Sequence, residues 1–78
     1  MRVVVTGATG FVGAVLMPEL VARYGEETVS AFVLPEDRIP SSWKGSKVRL
    51  FRGDIADSRA VQSAVWGHSH VVHLAGFI

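Results

Sequence analysis

The chain has 78 residues, 49% hydrophobic and 19% charged, with 8 basic against 7 acidic side chains and a formal charge of +1. That length holds one small domain, and the apolar content excludes a disordered chain. The near-neutral balance argues against a nucleic-acid-binding tail or an electrostatic membrane anchor.

There is no cysteine, so neither a disulfide scaffold nor a thiolate metal site is available, and a reducing, cytoplasmic compartment is the expectation. No apolar run approaches the roughly 20 residues of a membrane span. Met1 leads directly into a strand pattern, without the basic and apolar regions of a leader.

Val3, Val4 and Val5 form an uninterrupted β-branched run, as in a central parallel strand covered on both faces. Residues 6–13 are rich in glycine and end that strand. Residues 11–24 read as a helix, with Val12, Leu16 and Leu20 on one stripe and Gly13 and Met17 beside it. Gly25 suits the position that closes such a helix. Pro18 lies nearly opposite the stripe, which predicts an outward-facing proline and a bend around the sheet.

Residues 28–34 are the second strand. Pro35, Pro40 and Gly45 make residues 35–46 a loop with room for a short turn. Residues 47–52 alternate apolar and charged side chains, the pattern of a less buried strand. Asp57 or Ser58 then caps a helix reaching residue 65 or 66, and Gly67 ends it. Residues 70–75 form a fourth strand. The alternation predicts an α/β fold with a parallel sheet and right-handed crossovers.

The densest chemical signal is Thr6-Gly7-Ala8-Thr9-Gly10-Phe11-Val12-Gly13, which follows a strand and opens a helix. That context gives spaced glycines their meaning. Gly7 would allow the tight turn, Gly10 the approach of backbone to a diphosphate, and Gly13 close packing of the helix. The N–H groups near Phe11 and Val12 would face the phosphates, aided by the helix dipole. The plainer reading is a turn whose glycines serve sterics alone, and the strand-loop-helix context favours the nucleotide. No Gly-Lys-Ser/Thr follows, and Lys44 and Lys47 lie far along the chain, which excludes a Walker-A loop.

These eight residues resemble the TGxxGF(I/V)G signature of the extended short-chain dehydrogenase/reductases, of the NAD-dependent epimerase/dehydratase type. The classical subgroup's TGxxxGxG would need glycine where Phe11 stands. Gly53-Asp54-Ile55-Ala56-Asp57 resembles that family's GDLxD segment, and Val71-Val72-His73-Leu74-Ala75-Gly76 resembles its (V/I)xHLA(A/G) strand. The resemblance covers the whole chain. It implies a Rossmann-like, doubly wound parallel sheet with these four strands in the order 3-2-1-4.

The resemblance also implies roles. Thr9 shares the cofactor-binding loop. Asp54 would bond the adenine amino group and the Ile55 N–H a ring nitrogen, against the plainer reading of a turn cap. Leu74, Ala75 and Gly76 would lie at the strand end beneath the cofactor, with Ala75 and Gly76 as a small-residue floor. Asp57 reads better as a helix cap.

NAD-selective relatives carry an acid at the end of the second strand and NADP-using relatives often an arginine, but Val33 and Leu34 stand there. Glu36, Asp37 and Arg38 follow, and Pro35 bends the chain. A carboxylate would favour NAD, and Arg38 would pair with a 2′-phosphate. NAD or NADP is expected, with a lean to NAD, against the plainer reading of a solvated loop tip.

His68, His70 and His73 are close in sequence, but on a strand His73 faces away from the other two. No Cys, Asp or Glu accompanies them, so a metal is not expected, and His73 reads as a packed, hydrogen-bonded side chain.

The family's chemistry uses a Tyr-x-x-x-Lys pair. Here Thr28 stands four residues after Tyr24, and Pro40 and Trp43 stand four before the lysines. No catalytic residue is therefore assigned in residues 1–78. They resemble the N-terminal, dinucleotide-binding part of an NAD(P)-dependent epimerase, dehydratase or reductase. Its substrate would be a nucleotide sugar or related alcohol or carbonyl compound, with no nucleic acid or membrane partner and a homodimer left open for the full-length protein. The alternatives are a non-catalytic NAD(P)-binding or redox-sensing protein of the same fold, and a nucleotide-free interaction module. A fourth strand left as an open edge predicts poor stability for the 78 residues alone.

Overall fold

The computed structural model describes residues 1–74. Strands β1 (Val3–Thr6), β2 (Val29–Val33), β3 (Arg49–Arg52) and β4 (His70–His73) form one sheet. Its spatial order is β3-β2-β1-β4, and every pairing is parallel. Val3 pairs with Val29 on one side and His70 on the other, while Ser30 pairs with Arg49.

The two apolar runs take the centre. Every residue of β1 and β2 is buried, whereas β3 and β4 at the edges are mostly exposed. Alternate side chains of a strand point to opposite faces, which divides the core in two. Val3, Val5, Val29, Ala31 and Val33 face helix α1 (Phe11–Tyr24). Val4 and Phe32 face helix α2 (Ser58–Val65), which contributes Ala64 with Ala60, Val61 and Val65 around it.

The α1 stripe differs from the expected one. Gly13 and Met17 are buried, with Leu20 and Val21 packed beside them, while Val12 is 60% exposed. The cause lies at Gly13. A Cβ there would stand 2.6 Å from the Ala8 carbonyl carbon, so the helix presses its own entry loop at that point and its rotation is set. Pro18 is inside the helix and exposed, as expected.

The second strand begins one residue late. A 3-10 turn at Glu26–Thr28 precedes it, and the Thr28 hydroxyl donates to the carbonyls of Tyr24 and Gly25 at 2.7 and 2.9 Å. The long loop holds the short turn foreseen for it, at Ser41–Trp43, and Trp43 packs against the α1-side core. Asp57 caps α2, its Oδ1 accepting from the N–H of Arg59 at 3.0 Å and of Ala60 at 3.4 Å.

The histidines separate. His68 Nε2 lies 2.8 Å from Ser30 Oγ, His70 Nδ1 lies 2.9 Å from Ser69 Oγ, and His73 Nδ1 lies 2.8 Å from Thr6 Oγ1. His73 is hydrogen-bonded as expected but exposed rather than packed, because β4 is an edge strand of the described sheet. Among the described residues, no helix is long and apolar enough to cross a membrane.

Candidate functional site

In a parallel sheet all strands end on one side, and loops leaving the C-terminal ends converge there. The loops after β1, β2 and β3 enclose a cleft of about 460 Å³. Its walls are Gly7, Thr9 and Gly10 from the first loop, Leu34 and Asp37 from the second, and Gly53, Asp54 and Ile55 from the third, over Phe32 and Val33.

The first loop is shaped by its backbone. Gly7 has φ 67°, a left-handed conformation that a Cβ disfavours, and its N–H donates to the Phe32 carbonyl at 3.1 Å. Gly10 then turns back, its N–H donating to Gly7 O at 3.0 Å, and its own carbonyl starts the helix by accepting from Ala14 at 2.9 Å. The amides of Phe11 and Val12 find no acceptor among the described residues. They are the open donors expected in a first helical turn. A Cβ on Gly10 would lie 3.3 Å from Gly7 O, so a side chain there is tightly confined against the loop.

The second loop closes on itself. Asp37 N–H donates to Leu34 O at 3.1 Å, while Asp37 Oδ2 accepts from Leu34 N–H at 3.0 Å. The same oxygen accepts from the Thr9 hydroxyl at 2.8 Å. A carboxylate three residues beyond Leu34 is thus drawn back into the cleft and joined to the glycine loop. Asp37 Oδ1 receives no hydrogen bond from the described residues.

The third loop begins at Gly53, where a Cβ would meet the Ala60 methyl at 2.7 Å, so α2 crosses directly over it. Asp54 Oδ1 accepts from Ala56 N–H at 2.9 Å, and the Asp54 carbonyl accepts from Asp57 N–H at 2.9 Å. The plainer reading, a turn cap, is therefore visible in the geometry. It occupies one carboxylate oxygen and leaves Oδ2 without a hydrogen bond from the described residues.

The structure brings Gly7, Thr9, Gly10, Leu34, Asp54 and Ile55 to one cleft. Phe11, Val12 and Gly13 form the adjoining helix start. Phe11 is 95% exposed and is not among the residues that line the cleft. Leu74 packs against the α1-side core, its N–H donating at 3.1 Å both to the Thr6 carbonyl and to Thr6 Oγ1. Ala75 and Gly76 lie outside the described residues. The sequence reading left Asp37 among three loop-tip charges and did not single out Arg52, the last residue of β3.

The family model for NAD(P)H-binding matches residues 7–77. The chain belongs to that NAD(P)H-binding family. A 3-beta-hydroxysteroid dehydrogenase of Mycolicibacterium neoaurum is 41% identical over 78 residues, covering 99% of this chain and 20% of the relative. The solved uronate dehydrogenase of Agrobacterium tumefaciens, a mutant complexed with NAD, superposes with a TM-score of 0.80 at 31% identity, over 99% of this chain and 27% of the other. A nucleoside-diphosphate-sugar epimerase of Staphylococcus aureus gives 0.83 at 26% identity, over 100% and 27%. The fold is thus that of the short-chain dehydrogenase/reductases of epimerase/dehydratase type. The chain spans about a fifth to a quarter of the length of these relatives.

The cleft fits a dinucleotide on its own terms. It offers open helix-start amides beside a glycine-rich loop, and two carboxylates with an oxygen each that receives no hydrogen bond from the described residues. A nicotinamide dinucleotide, when bound, supplies a hydride donor or acceptor.

Proposed function

We propose that this chain is the dinucleotide-binding portion of an NAD-preferring epimerase, dehydratase or reductase acting on an alcohol or carbonyl substrate such as a nucleotide sugar. The observation that carries the cofactor preference is the Asp37 carboxylate, held in the cleft at the end of β2 with Oδ1 to spare. A carboxylate there accepts from ribose hydroxyls and repels a 2′-phosphate. The amides of Phe11 and Val12 would hold the diphosphate, and Asp54 Oδ2 with the Ile55 N–H would hold the adenine edge.

The substrate class rests on the likeness to a uronate dehydrogenase and a nucleoside-diphosphate-sugar epimerase. A hydroxysteroid dehydrogenase among the relatives keeps the common denominator at an alcohol or its carbonyl compound. A cytoplasmic location and a homodimer of the full-length protein belong to the same proposal.

Calorimetric titration of the intact protein with NAD and NADP tests it. NAD should bind at least about tenfold tighter, the worth of one charge-assisted hydrogen bond. Equal affinities would overturn the preference, and no binding of either at millimolar concentration would overturn the cofactor reading itself.

A further inference from the structure

Asp37 is held by more than the bonds that close its own turn. The turn 34–37 is exposed apart from Asp37, and beyond its own closing bonds and Thr9 it is tied from the neighbouring strand. Arg52 ends β3 in register with Val33, the last residue of β2. Its side chain runs along that edge, and Nη1 donates to the carbonyls of Leu34 at 3.3 Å, Pro35 at 2.8 Å and Asp37 at 3.2 Å. A single guanidinium nitrogen thus serves three carbonyls of the turn that bears Asp37. Among the described residues the one ion pair is Lys47 with Glu27, so Arg52 spends its hydrogen bonds on backbone rather than on a carboxylate. On the opposite side the Thr9 hydroxyl holds Asp37 Oδ2.

We propose that Arg52, with Thr9, is a positioning residue for cofactor choice: it fixes the turn so that Asp37 meets the adenosine ribose, and it touches no dinucleotide itself. The inference rests on the Asp37 reading above. It carries a sign that separates it from simple electrostatics. Arg52 is a cation near the ribose end of the cleft, and acting by charge alone it would favour the 2′-phosphate of NADP. Its removal would then raise the preference for NAD. Acting through Asp37, its removal lets the carboxylate drift and lowers that preference.

The test measures dissociation constants of NAD and NADP for the intact protein, and their ratio in each variant. The ratio cancels a general loss of folded protein, which a merely structural role would produce. Arg52→Met should lower the NADP-to-NAD ratio of dissociation constants about three- to tenfold, part of the roughly tenfold or more that one hydrogen bond to a charged group contributes. Arg52→Lys keeps the charge but loses the planar fork, and should fall part of the way. Thr9→Val, which keeps the branched shape, should also lower the ratio. An unchanged or raised ratio in Arg52→Met, or in Arg52→Lys should the first variant not fold, overturns the inference. Asp37→Asn is the control that separates the two levels. If it leaves the ratio unchanged, the Asp37 reading fails. If it lowers the ratio while the Arg52 variants do not, only the positioning role fails.

Discussion

Two residues illustrate how little chemistry decides the site's shape. At Gly13 the helix and its entry loop are in contact through backbone alone, with the Ala8 Cα 2.8 Å from where a Cβ would sit. Neither side of that contact is a flexible side chain, so relief requires moving the helix. Gly13→Ala should therefore destabilise the protein by about 1–3 kcal/mol, the usual cost of overpacking, read as a lower urea midpoint with an unchanged slope. Loss of NAD affinity should accompany it, since the amides of Phe11 and Val12 ride on the same turn. A midpoint equal to the parent's would show that the loop yields freely. Asp57 makes the complementary case. It caps α2 through two amides and does not line the cleft. Asp57→Ala should cost about 1 kcal/mol of stability and leave the NAD dissociation constant where it was, which equilibrium unfolding and calorimetry would read separately.

At the scale of elements, the legible features were those with a strong local pattern. Val3, Val4 and Val5 announce a central strand because three β-branched residues in a row suit a strand covered on both faces. The strand-loop-helix frame of residues 6–13 was legible for the same reason, and so was the Asp57 cap. The rotation of α1 was not. Its apolar residues wrap too far round, from Phe11 and Val12 through Met17 to Val21, for periodicity to choose a face, and a backbone contact at Gly13 made the choice. Asp37 stayed ambiguous because its position depends on a hydrogen bond to Thr9, 28 residues earlier. No spacing rule reports such a pairing, although an aspartate three residues after a strand end, able to bond its own turn, was a signal. The role of Arg52 was hidden because its partners are carbonyls, which every sequence has. The revised α1 face can be checked directly. Met17→Ala removes a side chain 2% exposed and should cost about 2–5 kcal/mol. Val12→Ala, on the stripe first expected, should stay within about 0.5 kcal/mol of the parent. Reversal of that order in thermal or urea unfolding would restore the original stripe.

For the molecule as a whole, the placement of apolar surface matters more than its amount. The two central strands are sealed, yet Phe11 is 95% exposed, Val15 71% and Trp66 84%. Val71, 50% exposed, stands on β4, which pairs only with β1 among the described residues and so presents a row of open backbone groups. Scattered apolar residues on a surface need no partner, but an open strand edge that carries an exposed valine invites another chain. Residues 1–78 expressed alone should therefore associate. Sedimentation at increasing concentration should give a rising average mass, and denaturation should lack a cooperative transition well above room temperature. Charge placed on the edge separates this from non-specific stickiness. Val71→Lys blunts strand addition without touching α1 or Trp66, so it should restore much of the monomer if β4 is the route, whereas Val15→Lys should do so if the helix face is. A monomeric parent with a sharp transition would mean that the sheet closes its own edge, and that the exposed apolar residues carry no drive to associate.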